Sequence, residues 1–315
     1  MMAKPGPQPN VRVGFFPRLK FAAVRQLERL LSPEALYRLV ALSFRARGAD
    51  KRPFPPLPLP ASLQHDGKRS ISVREKRRGD YFNGMLDFFP DQLSSPKWRD
   101  RVEFEGLEHL TSARKNKKAI VLAFCHFGPF FVVRYWLRSV GFPVATMNRG
   151  QAEIRPARKQ LADSVSPFPE IPFTFYQDQL RELVEFLQAG NLLLIALDVE
   201  AGKQLVVPFD DQCHVRVASG PLRLALRHQA ELIPCIITDK GHWRFRIKLG
   251  PPVPQEFLRA GGEAEAVKHL MQTLLPELRA HPEQCVQRVL NLFQPAAPLN
   301  NAANSIAYVD PIVAR

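Results

Sequence analysis

Two regimes of apolar and polar positions divide this chain. From Arg18 to Leu31 the apolar residues Leu19, Ala23, Leu27, Leu30 and Leu31 fall mainly on one helical face, with Arg18, Arg25 and Arg29 off it. Ser32-Pro33 then reads as an N-cap followed by proline at the first helical position. It opens a second helix with Leu36, Leu39, Val40 and Ser43 on one stripe, decorated by Arg38, Arg45 and Arg47. The prolines from Pro53 to Pro60 break the helical pattern and predict an extended linker or a strap across the surface. Beyond them, short apolar runs alternate with helical segments, the pattern of an α/β fold whose mostly parallel central sheet is flanked by helices. Strands are predicted at about 119–125, 143–148, 192–197, 204–208, 232–237 and 243–249, and helices at about 129–139, 178–189, 219–229, 263–279 and 282–293. The expected organisation is a basic, proline-rich arm with amphipathic helices over 1–60, an α/β domain over 61–295 and a tail over 296–315.

One strand end carries candidate chemistry. The apolar run Ile120 to Phe124 leads into Cys125-His126-Phe127-Gly128-Pro129, and a helical segment follows. In open α/β sheets the strand carboxyl ends and the following helix N-termini line the ligand crevice, so His126 sits where a proton acceptor is useful near pH 7. On these residues alone, a structural histidine is the alternative. Asp198 ends another predicted strand and Glu200 lies two residues on, so both are expected near the same crevice; for Asp198 the alternative is a turn cap. Gly128 either allows close backbone approach beside the site or simply enters the helix. Arg216 is a candidate for a substrate phosphate, with a solvated arginine as the alternative. His214, His228, His242, His269 and His281 lack partners at useful spacing and read as structural. The stripe Phe130, Phe131, Val133, Tyr135 and Trp136 reads as core, or else as the lining of an acyl tunnel.

Charge adds a partner. Residues 1–80 hold 17 Lys/Arg against 6 Asp/Glu, which accounts for +11 of the net +14. With leucine faces beside it, such an arm suits an anionic membrane surface; ordinary helices packing on the domain with a merely solvated basic face are the alternative. Nucleic acid would also attract it, but no recognisable nucleic-acid-binding motif accompanies the charge, and no nucleic-acid partner is expected. The four cysteines show no C-x-x-C pair and no zinc-site spacing, which predicts reduced, buried thiols and no metal. No run of about 18 apolar residues exists, and Met1 to Lys20 lacks the pattern of a signal peptide, so a cytosolic or peripheral protein is expected.

The His126-Phe-Gly block resembles the active-site block of the lysophospholipid acyltransferase superfamily, most closely the bacterial lipid A biosynthesis (lauroyl/myristoyl) branch, whose pattern is H-x-x-x-x-D/E. The likeness extends through Tyr81-Phe-x-x-Met-Leu-Asp-Phe-Phe89, Arg101 to His109, Leu187 to Asp198, Val206-Val-Pro-Phe209, Ser219-Gly220, Ile233-Pro234 and His281-Pro-Glu-Gln284, with Cys285 where the family has tryptophan. It implies transfer of a fatty acyl group from a thioester co-substrate, acyl-CoA or acyl carrier protein, to a hydroxyl or amine of a lipid-like acceptor. No further cofactor is implied. His126 would be the general base, Arg149 would match an arginine that holds a phosphate or headgroup, and the protein would work peripherally on the cytoplasmic face of the inner membrane. Two features depart from the pattern. Phe131 stands where the orienting carboxylate belongs, and 151–175 follows the family poorly. Asp198 or Glu200 is therefore expected to supply a carboxylate from across the sheet, and a catalytically silent lipid-binding or scaffolding relative is the competing expectation.

Overall fold

A computed structural model describes residues 15–46, 55–89, 92–147, 174–200, 202–211, 213–295 and 307–309. In chain order the strands are β1 (Leu57–Pro58), β2 (Ser70–Ile71), β3 (Val102–Glu105), β4 (Ile120–Phe124), β5 (Val144–Met147), β6 (Thr174–Phe175), β7 (Leu192–Ala196), β8 (Gln204–Asp210), β9 (Cys213–Ala218), β10 (Glu231–Asp239), β11 (Phe245–Leu249), β12 (Phe293–Pro295) and β13 (Ala307–Val309). Seven form one sheet in the order β3-β11-β10-β4-β7-β5-β6, in which only the β10/β11 hairpin is antiparallel. The fold is thus the α/β class with a mostly parallel central sheet flanked by helices. An antiparallel sheet, β12-β9-β8-β13, stands beside it.

All five residues of β4 are buried, as expected for a strand covered on both faces. Their side chains alternate between two cores. Val121 and Ala123 join Leu193 on one side, whereas Ile120, Leu122 and Phe124 join Leu192, Leu194 and Ala196 on the other. The first core is closed by the helix Glu263–Ala280 and the second sheet, and the second by an aromatic group that includes Trp98, Trp136 and Trp243.

The N-terminal helices α1 (Phe15–Leu30) and α2 (Pro33–Ala46) pack on the aromatic side through Phe21, Leu36, Val40 and Phe44. The leucine face of α1 does not point inward. Glu28 is buried instead, accepting a hydrogen bond of 2.8 Å from Trp98 Nε1 and pairing with Lys97 at 3.0 Å. That arrangement leaves Leu19, Leu27 and Leu30 exposed, Leu30 to 80%. On α2, Leu39 and Leu42 are exposed as well. The proline segment that follows forms β1, pairs with β2 and buries Leu59, so it is a strap held on the body of the protein.

The helix expected over 282–293 is absent. A turn of 3₁₀ helix, Pro282–Gln284, and a short helix, Gln287–Leu290, are followed by β12. Tertiary hydrogen bonding wins over helical periodicity here: Cys285 bridges Phe127, and β12 pairs with β9. Strand β9 itself, with buried Cys213, Val215 and Val217 alternating with His214 and Arg216, was not anticipated.

A buried ionic group fastens the long helix to the β10/β11 hairpin. Thr238 Oγ1 donates to Glu277 at 2.7 Å, and Arg246 pairs with the other carboxylate oxygen. Burial pushes the Glu277 carboxyl up, but the hydrogen bonds from Arg246 and Thr238 outweigh it and hold the group below its ordinary value of 4.5. A carboxyl with a depressed folded-state pKa contributes stability above its unfolded value and loses it as pH falls through the folded one. Replacing Glu277 with Gln is therefore expected to cost about 1–3 kcal/mol at pH 7. Urea melts at pH 7 and near pH 3 should show the gap between wild type and variant narrowing with acidification; a constant gap would contradict the assignment.

Candidate active site

The sheet register dictates the site. In the parallel β4/β7 pair, Phe124 lies opposite Ala196, so His126 and Asp198, each two residues beyond its strand end, emerge side by side. Leu197 N–H donates to Phe124 C=O at 2.7 Å, which carries the pairing one residue further. His126 Nδ1 then lies 2.9 and 3.0 Å from the two carboxylate oxygens of Asp198, and the His126 backbone N–H donates to Oδ1 at 3.2 Å. The Asp198 side chain is fully buried, while that of His126 keeps 21% of its surface exposed. A carboxylate only accepts, so Nδ1 carries the hydrogen and the neutral ring keeps its lone pair on Nε2. Chemically, this is a fixed imidazole with one nitrogen held and the other available as a base.

The loop that holds the ring is tied on its far side by the His281-Pro-Glu-Gln284 segment. Gly128 N–H donates to Gln284 C=O at 3.0 Å, and Val286 N–H donates to His126 C=O at 3.3 Å. The Gln284 side chain donates to Asp239 C=O at 2.8 Å and accepts from Asp239 N–H at 2.9 Å, so it docks on the end of β10 as an extra strand residue would. Sequence reasoning matched this block without giving Gln284 a task. Gly128 has φ +54°, and a Cβ there would stand 2.7 Å from Ile237 O and 2.9 Å from Gln284 Oε1. Both properties require glycine, in keeping with the close-approach alternative.

The backbone N–H groups of residues 126, 127 and 128 are all committed to protein oxygens, Phe127 donating to Cys125 C=O at 2.7 Å. Phe130 sets its ring near-perpendicular to the imidazole, with centroids 4.4 Å apart, and Phe131 packs edge-on to Phe130 at 5.8 Å. Val133, Tyr135 and Trp136 are core residues. Cys125, next to the histidine, is buried, and desolvation with help from Asp198 and Cys285 pushes its thiol well above the usual value. A thiol so raised stays protonated near neutral pH, the less reactive form. Burial also pushes Cys235 up to about 12, and all four cysteines are free and buried. Among the described residues no His/Cys/Asp/Glu group is arranged to hold a metal ion.

The remaining candidates separate. Residues 198–200 line a cavity of about 600 Å³, with Glu200 exposed and not hydrogen-bonded to His126. Arg216 lines the same cavity from β9 and touches neither His126 nor Asp198 through a hydrogen bond. Arg149 lies outside the described residues. His269 meets the Pro251 carbonyl and His281 meets Glu283, both away from the His126–Asp198 pair.

The family described as bacterial lipid A biosynthesis acyltransferase matches residues 83–287. None of the curated protein sequences gives a significant match. Among solved structures, a crystal structure of the 1-acyl-sn-glycerophosphate (LPA) acyltransferase PlsC from Thermotoga maritima is similar over 84% of this chain and 98% of that one, with 13% identity and a TM-score of 0.39.

The Gly128 geometry makes a prediction about the loop. Gly128→Ala introduces a methyl against the Ile237 carbonyl at a positive φ, which is expected to cost about 1–3 kcal/mol of stability. Thermal and urea melts measure this directly; a variant as stable as wild type would show that the loop does not need the close approach.

Proposed function

The chain belongs to the bacterial lipid A biosynthesis acyltransferase family, and from that premise we propose that it transfers a fatty acyl group from an acyl thioester to a hydroxyl or amine of a lipid-like acceptor, with His126 as general base and Asp198 as the residue that positions it. The observation carrying this reading is the contact between His126 Nδ1 and both oxygens of a buried Asp198. In the family pattern the acid lies five residues after the histidine; here Phe131 occupies that position, and the neighbouring strand supplies a carboxylate. The pairing supports acyl transfer over a silent lipid-binding relative, for which an unpartnered ring is expected.

The mechanism follows from the free nitrogen. A hydroxyl is a poor nucleophile near pH 7, so Nε2 accepts its proton as the oxygen attacks the thioester carbonyl. The ester C–O bond forms, the C–S bond breaks, and the thiolate leaves with the bonding pair, to be protonated by the ring or by water. An amine acceptor follows the same course and yields an amide. Asp198 keeps Nδ1 protonated and the ring fixed throughout, while protonated Cys125 takes no covalent part. The donor, acyl-CoA or acyl carrier protein, is the only co-substrate needed.

The exposed leucines of α1 and α2 support a peripheral site on an anionic membrane, and the family resemblance is what suggests the cytoplasmic face of the inner membrane. Arg18, Arg29, Arg38 and Arg45 are exposed on the same two helices. No helix among the described residues is long and apolar enough to cross a membrane.

Two experiments test these readings. Mass-spectrometric turnover with acyl-CoA and acyl carrier protein donors over several lysolipid acceptors should show activity that His126→Ala removes and Asp198→Asn lowers by roughly 10²- to 10⁴-fold. Phe131→Asp in the wild-type background should bring no gain, because the ring is already held. Undiminished turnover in His126→Ala would sink the mechanism. For the membrane, the full chain should float with anionic liposomes in a salt-sensitive manner, and the double variant Leu19→Asp/Leu30→Asp should stay behind; equal flotation of the two would remove the leucine face from the interface.

A further inference from the structure

Residues 126–128 and 284–286 run antiparallel around the Phe127/Cys285 pair and share two backbone hydrogen bonds, Gly128 N–H to Gln284 C=O at 3.0 Å and Val286 N–H to His126 C=O at 3.3 Å. His126 is thus gripped by its carbonyl from this segment, and by its N–H and ring from Asp198. Two bonds make a short ladder with little stability of its own, so the place of the loop depends on what fixes residues 284–286 in turn.

Two side chains do that. The Gln284 amide accepts from Asp239 N–H at 2.9 Å and donates to Asp239 C=O at 2.8 Å, which locks it to the end of β10 in one orientation. Lys76, from the helix Val73–Leu86, donates to Cys285 C=O at 2.8 Å; its side chain is only 15% exposed and its ammonium also pairs with Asp80 at 3.5 Å. In an antiparallel ladder the backbone groups of alternate residues point outward, and Cys285 is such a residue: its carbonyl faces away from the loop and Lys76 satisfies it. A bond from an ammonium group is among the stronger ones. Neither side chain is hydrogen-bonded to His126 or Asp198 among the described residues.

We propose that Gln284 and Lys76 are positioning residues: they hold residues 284–286, and through them the His126 backbone, where the ring keeps Nδ1 on Asp198. The proposal rests on the reading of His126 as the base. It gives two residues that do not touch the pair a share in kcat, because a displacement of about 1 Å in a reacting group costs up to ~10²-fold in rate.

Two measurements on the full chain test it, one of them independent of turnover. With isotopically labelled histidine, the His126 Nδ1–H bonded to Asp198 gives a nuclear magnetic resonance signal, assigned by its disappearance in His126→Gln. Gln284→Met keeps the length of the side chain and removes both bonds to Asp239; it is expected to broaden or shift that signal and to speed its exchange with water by roughly tenfold or more. In turnover with the donor and acceptor that wild type uses, kcat should fall by roughly 10- to 100-fold with both KM values unchanged, the pattern of a misplaced base. Lys76→Met should give the same pattern with a smaller loss, and it carries the test if Gln284→Met fails to fold by circular dichroism. Gln284→Glu supplies a reversible version. The introduced carboxylate still accepts from Asp239 N–H, but its second oxygen meets the Asp239 carbonyl and can donate only when protonated. The neutral form is the bonded one, so the rate relative to wild type should recover as pH is lowered. An unchanged signal in Gln284→Met and Lys76→Met, or wild-type kcat in both with only a lower melting temperature, shows that the two residues serve the fold alone and overturns the proposal. If wild type shows no turnover with any donor, the acyl-transfer reading falls, and the signal decides by itself whether the two residues hold the ring.

Discussion

The parallel pairing of β4 with β7 is the constraint from which the site follows. Both strands are buried on both faces, so their register is set by apolar residues packing into two different cores. A slip of one residue would exchange those faces and expose the wrong set to each core. The same register carries two residues past the strand ends and fixes His126 against Asp198. Orientation of the imidazole is thus secured by interactions spread over the whole central sheet. Burying an ionised carboxylate is costly unless its oxygens are satisfied, and here Asp198 accepts from both the ring and the backbone of the same histidine.

A second device keeps the loop from following the chain into its helix. Three successive N–H groups, at residues 126 to 128, are taken by Asp198, Cys125 and Gln284. Gln284 is held in turn by the backbone of Asp239. The C-terminal segment, more than 150 residues away in sequence, therefore holds the loop from the side opposite the neighbouring strand. This explains why residues 282–293 give up a continuous helix: their backbone groups are worth more as partners of the His126 loop and of β9.

What the sequence made legible is what local pattern determines. Apolar runs located β4, β5, β7, β8, β10 and β11 closely, and the rule that chemistry collects at strand carboxyl ends pointed to His126 and Asp198. It could not choose between Asp198 and Glu200, since that choice depends on a register of one or two residues between strands 72 positions apart. Gln284 was invisible as a positioning residue because its partners are backbone groups of another strand. Amphipathicity identified the leucine face of α1 but not its direction, which is decided by where Glu28 finds Trp98 and Lys97. The strand β9 was missed although its alternation is regular, because its pairing with β8 and β12 is needed to distinguish six residues from a turn.

Moving the carboxylate from the helix to the neighbouring strand also changes what the helix side of the loop can be. A histidine oriented by an acid five residues on demands that the intervening segment adopt one geometry and stay polar at its tip. With Asp198 behind Nδ1, that segment is released from the task, and Phe130 and Phe131 fill it with aromatic contacts against the ring and each other. An aromatic edge restricts tilt of the imidazole about the axis that the Nδ1 hydrogen bonds leave free, so carboxylate and phenyl ring constrain different motions. Position 131 is then a packing position. In this chain the ring is held by Asp198 from the neighbouring strand and by Phe130 from the segment that follows, with no carboxylate at position 131.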